Sequence, residues 1–334
     1  MNQKNRLSQI GNIRALAIFL VVLGHSIILY SYSWNLYETS RDVPFLNYLK
    51  QIIDIPQMPL FFSLSGYLFV FTHTKQRGFF HLLKSKALRL LVPYIGIGLC
   101  FLLPIRVAIG LPSYQNISLK QLAVNFLTSS DVGHLWFLPA LFFVFIVSEL
   151  ILMVAQKIPG IKKHPELFLG FVALTLYMEG YRIGFGYPPL LTSFNYLLWF
   201  SVGYTVNIWQ NTLKKIYAIK PLAWMLVIIN LALLAYSVAF GPVRVMLSLL
   251  TKALCIVNAY GAIPESNYKI TEKIDQNSFG IYLFHSPLIY ITYANIPDAH
   301  PAIVVFINLI ICGVAAYYLT DLLRKTKLKL LIGE

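Results

Sequence analysis

The sequence predicts an all-α protein, a polytopic transmembrane helical bundle of about ten spans with both termini in the cytoplasm. Three observations predict it. Of 334 residues, 57% are hydrophobic and only 12% charged, with mean hydropathy +0.67, whereas a soluble domain carries about 25% charged residues. The apolar residues gather in runs close to the roughly 20 that a helix needs to cross hydrocarbon. Lys and Arg, in turn, concentrate on every second connecting segment.

By length and apolarity the spans run over 10–31, 55–74, 87–109, 134–156, 166–181, 190–209, 221–240, 243–262, 277–296 and 300–323. Tyr181 to Pro189, rich in Gly and Pro, reads as a short loop or a re-entrant break. No internal repeat and no separate soluble domain stands out, so residues 1–334 read as a single integral-membrane domain. The first run lacks a small-residue cleavage site and is too long for a signal peptide, and is therefore read as a true span.

Orientation follows from the charges. Of the 27 Lys and Arg residues, Arg14 and Lys252 lie within spans, and Arg41, Lys50, Arg106, Lys120, Arg182 and Arg244 fall on one set of connecting segments. The other nineteen, from Lys4 and Arg6 through Lys75, Arg77, Lys86 and Arg89 to Lys329, fall on the alternate set. The positive-inside rule puts that set, and both termini, in the cytoplasm. The net charge of +14 is thus dispersed in short loops beside apolar runs, which excludes a nucleic-acid partner and identifies the lipid bilayer as the surroundings. Cys100, Cys255 and Cys312 all lie in apolar runs and define neither a disulfide framework nor a metal site.

The chemistry starts in the first span, NIRALAIFLVVLGHS, residues 12–26. Arg14 and His25 are eleven residues apart, close to three whole helical turns, so they share one face at roughly 16 Å separation. Charged or titratable groups inside a membrane usually face a cavity or a partner. Arg14 near the cytoplasmic face and His25 in the outer half therefore read as a path for an anionic molecule whose reactive end reaches His25. The alternative is a snorkelling Arg and a satisfied core His. His285 in NSFGIYLFHSP falls near mid-depth, and His134 with Trp136 in HLWFLPALF falls at the outer end of the fourth span. Imidazole is suited to moving a proton near neutral pH. Equally, a buried His is often bonded to a Ser or a carbonyl as helix–helix glue. No i,i+4 His pair or accompanying Cys or carboxylate cluster points to a metal.

In the second span, Ser63, Ser65, Gly66 and Tyr67 either let helices approach closely or line a polar path beside His25. Lys86 and Arg89 are ordinary positive-inside charge or, with Arg14, a cationic mouth for phosphates. Lys252 sits midway along its span and faces the bundle interior, with Glu149 as a candidate partner. Asn195, Asn230 and Asn258 join a polar interior or bond helix to helix.

Four stretches in this order, Arg14 to His25, FFSLSGYLF, HLWFLPAL and SFGIYLFHSPL, with Lys86, Arg89 and Pro93 before the third span, resemble the acyltransferase 3 family of ten-span bacterial membrane acyltransferases. Within it the chain is most similar to the branch that O-acetylates surface and exopolysaccharide sugars. One departure is Gly11, followed by Asn12, where many members carry an Asp three residues before the Arg.

The resemblance implies an enzyme of the bacterial plasma membrane that moves an acyl group, typically acetyl, from cytoplasmic acetyl-CoA to a sugar hydroxyl. The acceptor is a cell-surface polysaccharide or its lipid-linked precursor, and glycan-synthesis proteins are the expected partners. It maps the family's catalytic Arg and His onto Arg14 and His25, its cationic edge onto Arg89, and its Ser-Gly-Tyr segment onto Ser65, Gly66 and Tyr67. In this reading Arg14, Lys86 and Arg89 hold the phosphates of CoA. His25 acts as general base or carries the acyl group itself. Tyr67 or Ser65 stabilises the oxyanion, His285 orients His25 or the acceptor, and His134 and Trp136 contact the acceptor. The competing class is an exporter or flippase of a polysaccharide or lipid-linked sugar; against it stands the lack of inverted repeats and paired broken helices.

Overall fold

Prolines punctuate this chain where a helix must begin. Pro44, Pro165, Pro188 and Pro301 each stand at the first position of a helix, where a missing N–H costs nothing and the fixed φ is already helical. The computed structural model describes residues 3–31, 39, 41–73, 78–183, 186–240, 245–266 and 268–334, and it is helical with no strand among them. Lys75, Arg77 and Arg244, three of the charges used above for orientation, lie outside the described residues.

The order is α1 (Gln3–Ser26), α2 (Pro44–Asp54), α3 (Gln57–His73), α4 (Phe79–Lys86), α5 (Val92–Ile97) and α6 (Leu103–Ala108). There follow α7 (Pro112–Gln115), α8 (Leu119–Thr128), α9 (Phe137–Lys157), α10 (Pro165–Ile183), α11 (Pro188–Ile208) and α12 (Gln210–Ala218). The chain continues with α13 (Lys220–Phe240), α14 (Val245–Ala262), α15 (Lys269–Asn295), α16 (Pro301–Phe306) and α17 (Gly313–Arg324).

Among the described residues, seven stretches are long and apolar enough to cross a membrane: Ser8–Ser26, Pro44–His73, Phe79–Ala108, Gly133–Lys157, Lys220–Phe240, Val245–Ala262 and Pro301–Arg324. The spans expected at 166–181, 190–209 and 277–296 form as α10, α11 and α15 without joining those seven; α15 opens with Lys269, Glu272, Lys273 and Asp275. The second span reaches back to Pro44, with a break at Ile55–Pro56, because a proline inside a helix removes an i→i−4 bond and clashes with the preceding turn. The third is a single run in which π-helical turns at Ala87–Leu91 and Gly98–Leu102 precede Pro93 and Pro104. A third π-helical turn, Ile307–Cys312, joins α16 to α17.

The described contacts divide the chain into two compact units. One comprises residues 1–17, 51–83 and 143–272. Its centre is the crossing of α3 and α11, where glycines interlock: a Cβ on Gly66 would lie 1.9 Å from the Phe200 carbonyl oxygen, and one on Gly203 would lie 1.8 Å from that of Ser63. Ser63 itself is buried and donates to the Leu60 carbonyl (2.8 Å). The small residues of FFSLSGYLF therefore serve close packing here. Asn230 donates to the Thr251 carbonyl (3.1 Å) and Asn258 to the Asn230 side chain (3.2 Å), tying α13 to α14. Glu149, the candidate partner of Lys252, bonds elsewhere. Lys252 lies over the Trp199 ring (5.9 Å), and Glu149 is bonded to His73 (2.9 Å), because the helix register points the two side chains at different neighbours.

The other unit comprises residues 18–50, 84–142 and 273–334. Leu29, Tyr30, Ile289, Tyr293, Val304 and Cys312 form a buried apolar cluster within it. Gly280 of α15 meets Thr320 of α17, where a Cβ would lie 2.1 Å from Oγ1. Two residues counted above as loop charges are core residues of this unit, Lys50 on α2 and Arg106 on α6.

Candidate functional site

The second unit gathers three histidines that are far apart in sequence. The ring centroids of His25 and His285 are 5.0 Å apart, those of His134 and His285 5.3 Å, and those of His25 and His134 6.4 Å. His285 is fully buried at 0% exposure, His134 is buried, and His25 is partly exposed.

Each ring is held by backbone groups that helix geometry leaves over. His25 sits one residue before the end of α1, where the last carbonyls have no intrahelical donor. Its own carbonyl accepts from the Tyr293 hydroxyl (2.7 Å), and that of Ser26 accepts from Asn308 (3.5 Å). His134 sits on a short 3₁₀ turn, Gly133–Trp136, that leads into α9. The Tyr282 hydroxyl donates to the His134 carbonyl. Nε2 of His134 lies 3.1 Å from the carbonyl oxygen of Leu283. That carbonyl is vacant because the residue four positions later is Pro287, which has no N–H to give it. The proline within FHSP thus creates the acceptor that fixes His134.

These partners assign the ring protons. Nδ1 of His285 faces two carbonyls, Ile281 and Tyr282, both at 2.9 Å, so it must carry the hydrogen. Its Nε2 is then a bare acceptor, 3.1 Å from Nδ1 of His25. Nδ1 of His25 also faces the Val21 carbonyl at 3.0 Å, so it too carries its hydrogen and donates to both. The basic nitrogen of His25 is therefore Nε2. For His134 the bond to Leu283 puts the hydrogen on Nε2 and leaves Nδ1 as a buried acceptor with no hydrogen-bond partner among the described residues. A chain of neutral imidazoles backing one bare nitrogen is a proton-accepting arrangement, and a second bare nitrogen stands nearby.

Of the other residues singled out in the sequence, Lys86 and Arg89 lie in the same unit as the histidines. Arg89 is exposed on the first π-helical turn and Lys86 is partly buried just before it. Trp136 follows His134 on the 3₁₀ turn, partly buried and edge-on to Phe137 at 6.4 Å. Arg14, Ser65 and Tyr67 belong to the other unit. Arg14 is partly buried on the unbroken α1, which keeps its eleven-residue spacing from His25. Gly11 is followed by Asn12, whose amide donates to the carbonyls of Pro264 (3.0 Å) and Ser266 (2.8 Å). Ser65 donates to the Phe61 carbonyl (3.1 Å). The Tyr67 hydroxyl donates to Gln210 (2.5 Å), and its ring stacks on Tyr260 at 5.1 Å. The protons of both hydroxyls are thus committed to structural bonds.

Two residues escaped the sequence reading. Lys50 is buried in the same unit as the histidines. Arg106, 1% exposed, lies beneath the turn that carries His134. The available signal for Arg106 was its setting in LLPIRVAIG, a lone cation flanked by apolar residues on both sides.

Comparison with curated proteins and with solved structures returned no significant match. The sequence profile of a family described as an acyltransferase domain matches residues 7–322, nearly the whole chain, and with it the four stretches that bear the three histidines and Gly66. This all-helical, multi-pass chain belongs to the acyltransferase 3 family.

Proposed function

We propose that this membrane acyltransferase moves an acetyl group from cytoplasmic acetyl-CoA to a sugar hydroxyl of a cell-surface polysaccharide or its lipid-linked precursor, in the plasma membrane of a bacterium. The observation that carries the reading is the bare Nε2 of His25, with Nδ1–H bonded to His285 at 3.1 Å. Nε2 takes the proton of the acceptor hydroxyl as its oxygen attacks the thioester carbonyl. The new C–O bond forms, the C–S bond breaks, and the proton passes from His25 to the departing thiolate, giving the acetyl ester and CoA. As the His25 ring gains charge, its Nδ1–H bond to the neutral His285 becomes charge-assisted and strengthens.

The bare Nδ1 of His134 accepts from a second hydroxyl of the same sugar, which fixes the orientation of the first. Trp136 offers its ring to the sugar face. Lys86 and Arg89 bind the phosphates of the donor, and Arg14 is a further cation for the same molecule by its sequence position alone. Family membership favours acyl transfer over the export reading.

The test uses proteoliposomes containing this protein alone, supplied with acetyl-labelled acetyl-CoA and a glycan acceptor. Label should reach the glycan with the wild-type chain and not with His25→Ala. Wild-type transfer by His25→Ala would overturn the role of His25. Glycan movement without acyl turnover would support the exporter.

A further inference from the structure

We infer that Arg106 is a positioning residue for the reaction, acting through the turn at residues 129–133 to hold His134 beside the other two histidines. The inference rests on the reading of His134 as an acceptor contact.

The turn that ends at His134 is an unfavourable one. Ser129 (φ 54°), Asp131 (φ 51°) and Gly133 (φ 55°) all adopt the left-handed conformation, and two of the three carry a Cβ. Such backbone persists only where the surroundings over-determine it. Arg106 supplies the restraint. Its Nη1 lies 2.6 Å from the Asp131 carbonyl, 3.2 Å from Asp131 Oδ1 and 2.6 Å from the Tyr114 hydroxyl. Tyr114 in turn donates to the same Asp131 carbonyl at 2.6 Å. On the far side, Nη2 fits under Gly133 so closely that a Cβ there would lie 2.7 Å from it. The guanidinium also lies over the rings of Tyr114 and Tyr290, with centroids 4.9 and 5.4 Å from Cζ. Planar contacts of this kind suit Arg and not Lys.

Stability alone is a poor explanation for such a group. A cation buried within an apolar span is expensive, and apolar side chains of similar volume usually stabilise as well or better. The specific gain from Arg106 is geometry. It pins Asp131, three residues before His134, while Leu283 pins the ring itself. His134 is therefore held at both its backbone and its imidazole.

The experiment compares Arg106→Lys, Arg106→Met, His134→Ala and the double variant Arg106→Met/His134→Ala in the full chain, reconstituted with labelled acetyl-CoA and a glycan acceptor. Arg106→Met and Arg106→Lys should each lower kcat about a hundredfold, the cost of a misplacement near 1 Å, with KM for acetyl-CoA within about twofold. The double variant should be no slower than His134→Ala alone, since both lesions remove the same contact. Wild-type kcat in Arg106→Met beside an impaired His134→Ala overturns the inference and spares the reading of the site. So do losses that multiply in the double variant. Wild-type kcat in His134→Ala sinks the reading of His134 and the inference with it. If Arg106→Met fails to fold, Tyr114→Phe decides: it removes one contact to Nη1 and one to the Asp131 carbonyl without changing charge. A drop in kcat of several-fold at constant donor KM is expected, and an unchanged kcat overturns the inference.

Discussion

Nε2 of His285 lies 3.1 Å from Nδ1 of His25, and the two carbonyls on the other side of His285 leave only one direction in which that bond can point. The hydrogen belongs to His25, and the bare nitrogen of His25 is turned away from His285. A side chain fixed by main-chain carbonyls of its own helix thus decides the tautomer of a side chain 260 residues away.

On the proposed function, His285 should contribute to turnover and not to donor binding. His285→Phe removes the acceptor while filling the space. It should lower kcat by about 10²-fold or more, in the range of positioned acid–base groups, with the acetyl-CoA KM within about twofold. Steady-state kinetics in proteoliposomes measures both. A fall confined to KM would contradict the assignment.

Pro287 carries a prediction in which stability and activity move in opposite directions. Pro287→Ala restores an N–H that competes for the Leu283 carbonyl, the acceptor now used by His134. The helix should gain stability, because a proline in a helix interior costs about 3 kcal/mol. Transfer should slow several-fold as His134 loses part of its anchor. Thermal unfolding in detergent and kcat in liposomes read the two effects separately.

The crossing of α3 and α11 should tolerate no added methyl. Gly66→Ala and Gly203→Ala each place a Cβ within 2 Å of a backbone carbonyl on the facing helix. Neither carbonyl can move without parting the helices, so each variant should cost about 3 kcal/mol, the upper end of overpacking penalties. A lowered melting temperature with little folded protein recovered is expected; a wild-type melting curve would refute the close approach.

If Arg89 and Arg14 hold donor phosphates, Arg89→Ala and Arg14→Ala should each raise the acetyl-CoA KM about tenfold, the 1.4 kcal/mol of one charge-assisted contact. Isothermal binding of CoA to the reconstituted protein checks this independently of turnover. Unchanged affinity in both would remove the cationic mouth.

Much of this protein was determined by its sequence alone. Composition and the length of the apolar runs dictate a helical, multi-pass chain, since a backbone in hydrocarbon must satisfy its hydrogen bonds within each segment. His25 and His285 stood out because a titratable ring in an apolar run is costly wherever it sits, and the four motif stretches carried the family. What the tertiary structure alone decided is the direction of each bond. A residue count placed Arg106 among loop charges and offered Glu149 as a candidate partner for Lys252, because charge patterning records which segment holds a residue and not what lies across from it. The vacancy left by Pro287 on the Leu283 carbonyl was implicit in the helix, yet only the approach of a turn more than 140 residues away shows which group uses it. Ser65 and Tyr67 carry the family's polar pattern, but the neighbours that take their protons, Phe61 and Gln210, were set by packing. Local propensity acts through the nearest few residues. The proton positions at the three histidines depend on partners brought together from opposite ends of the chain.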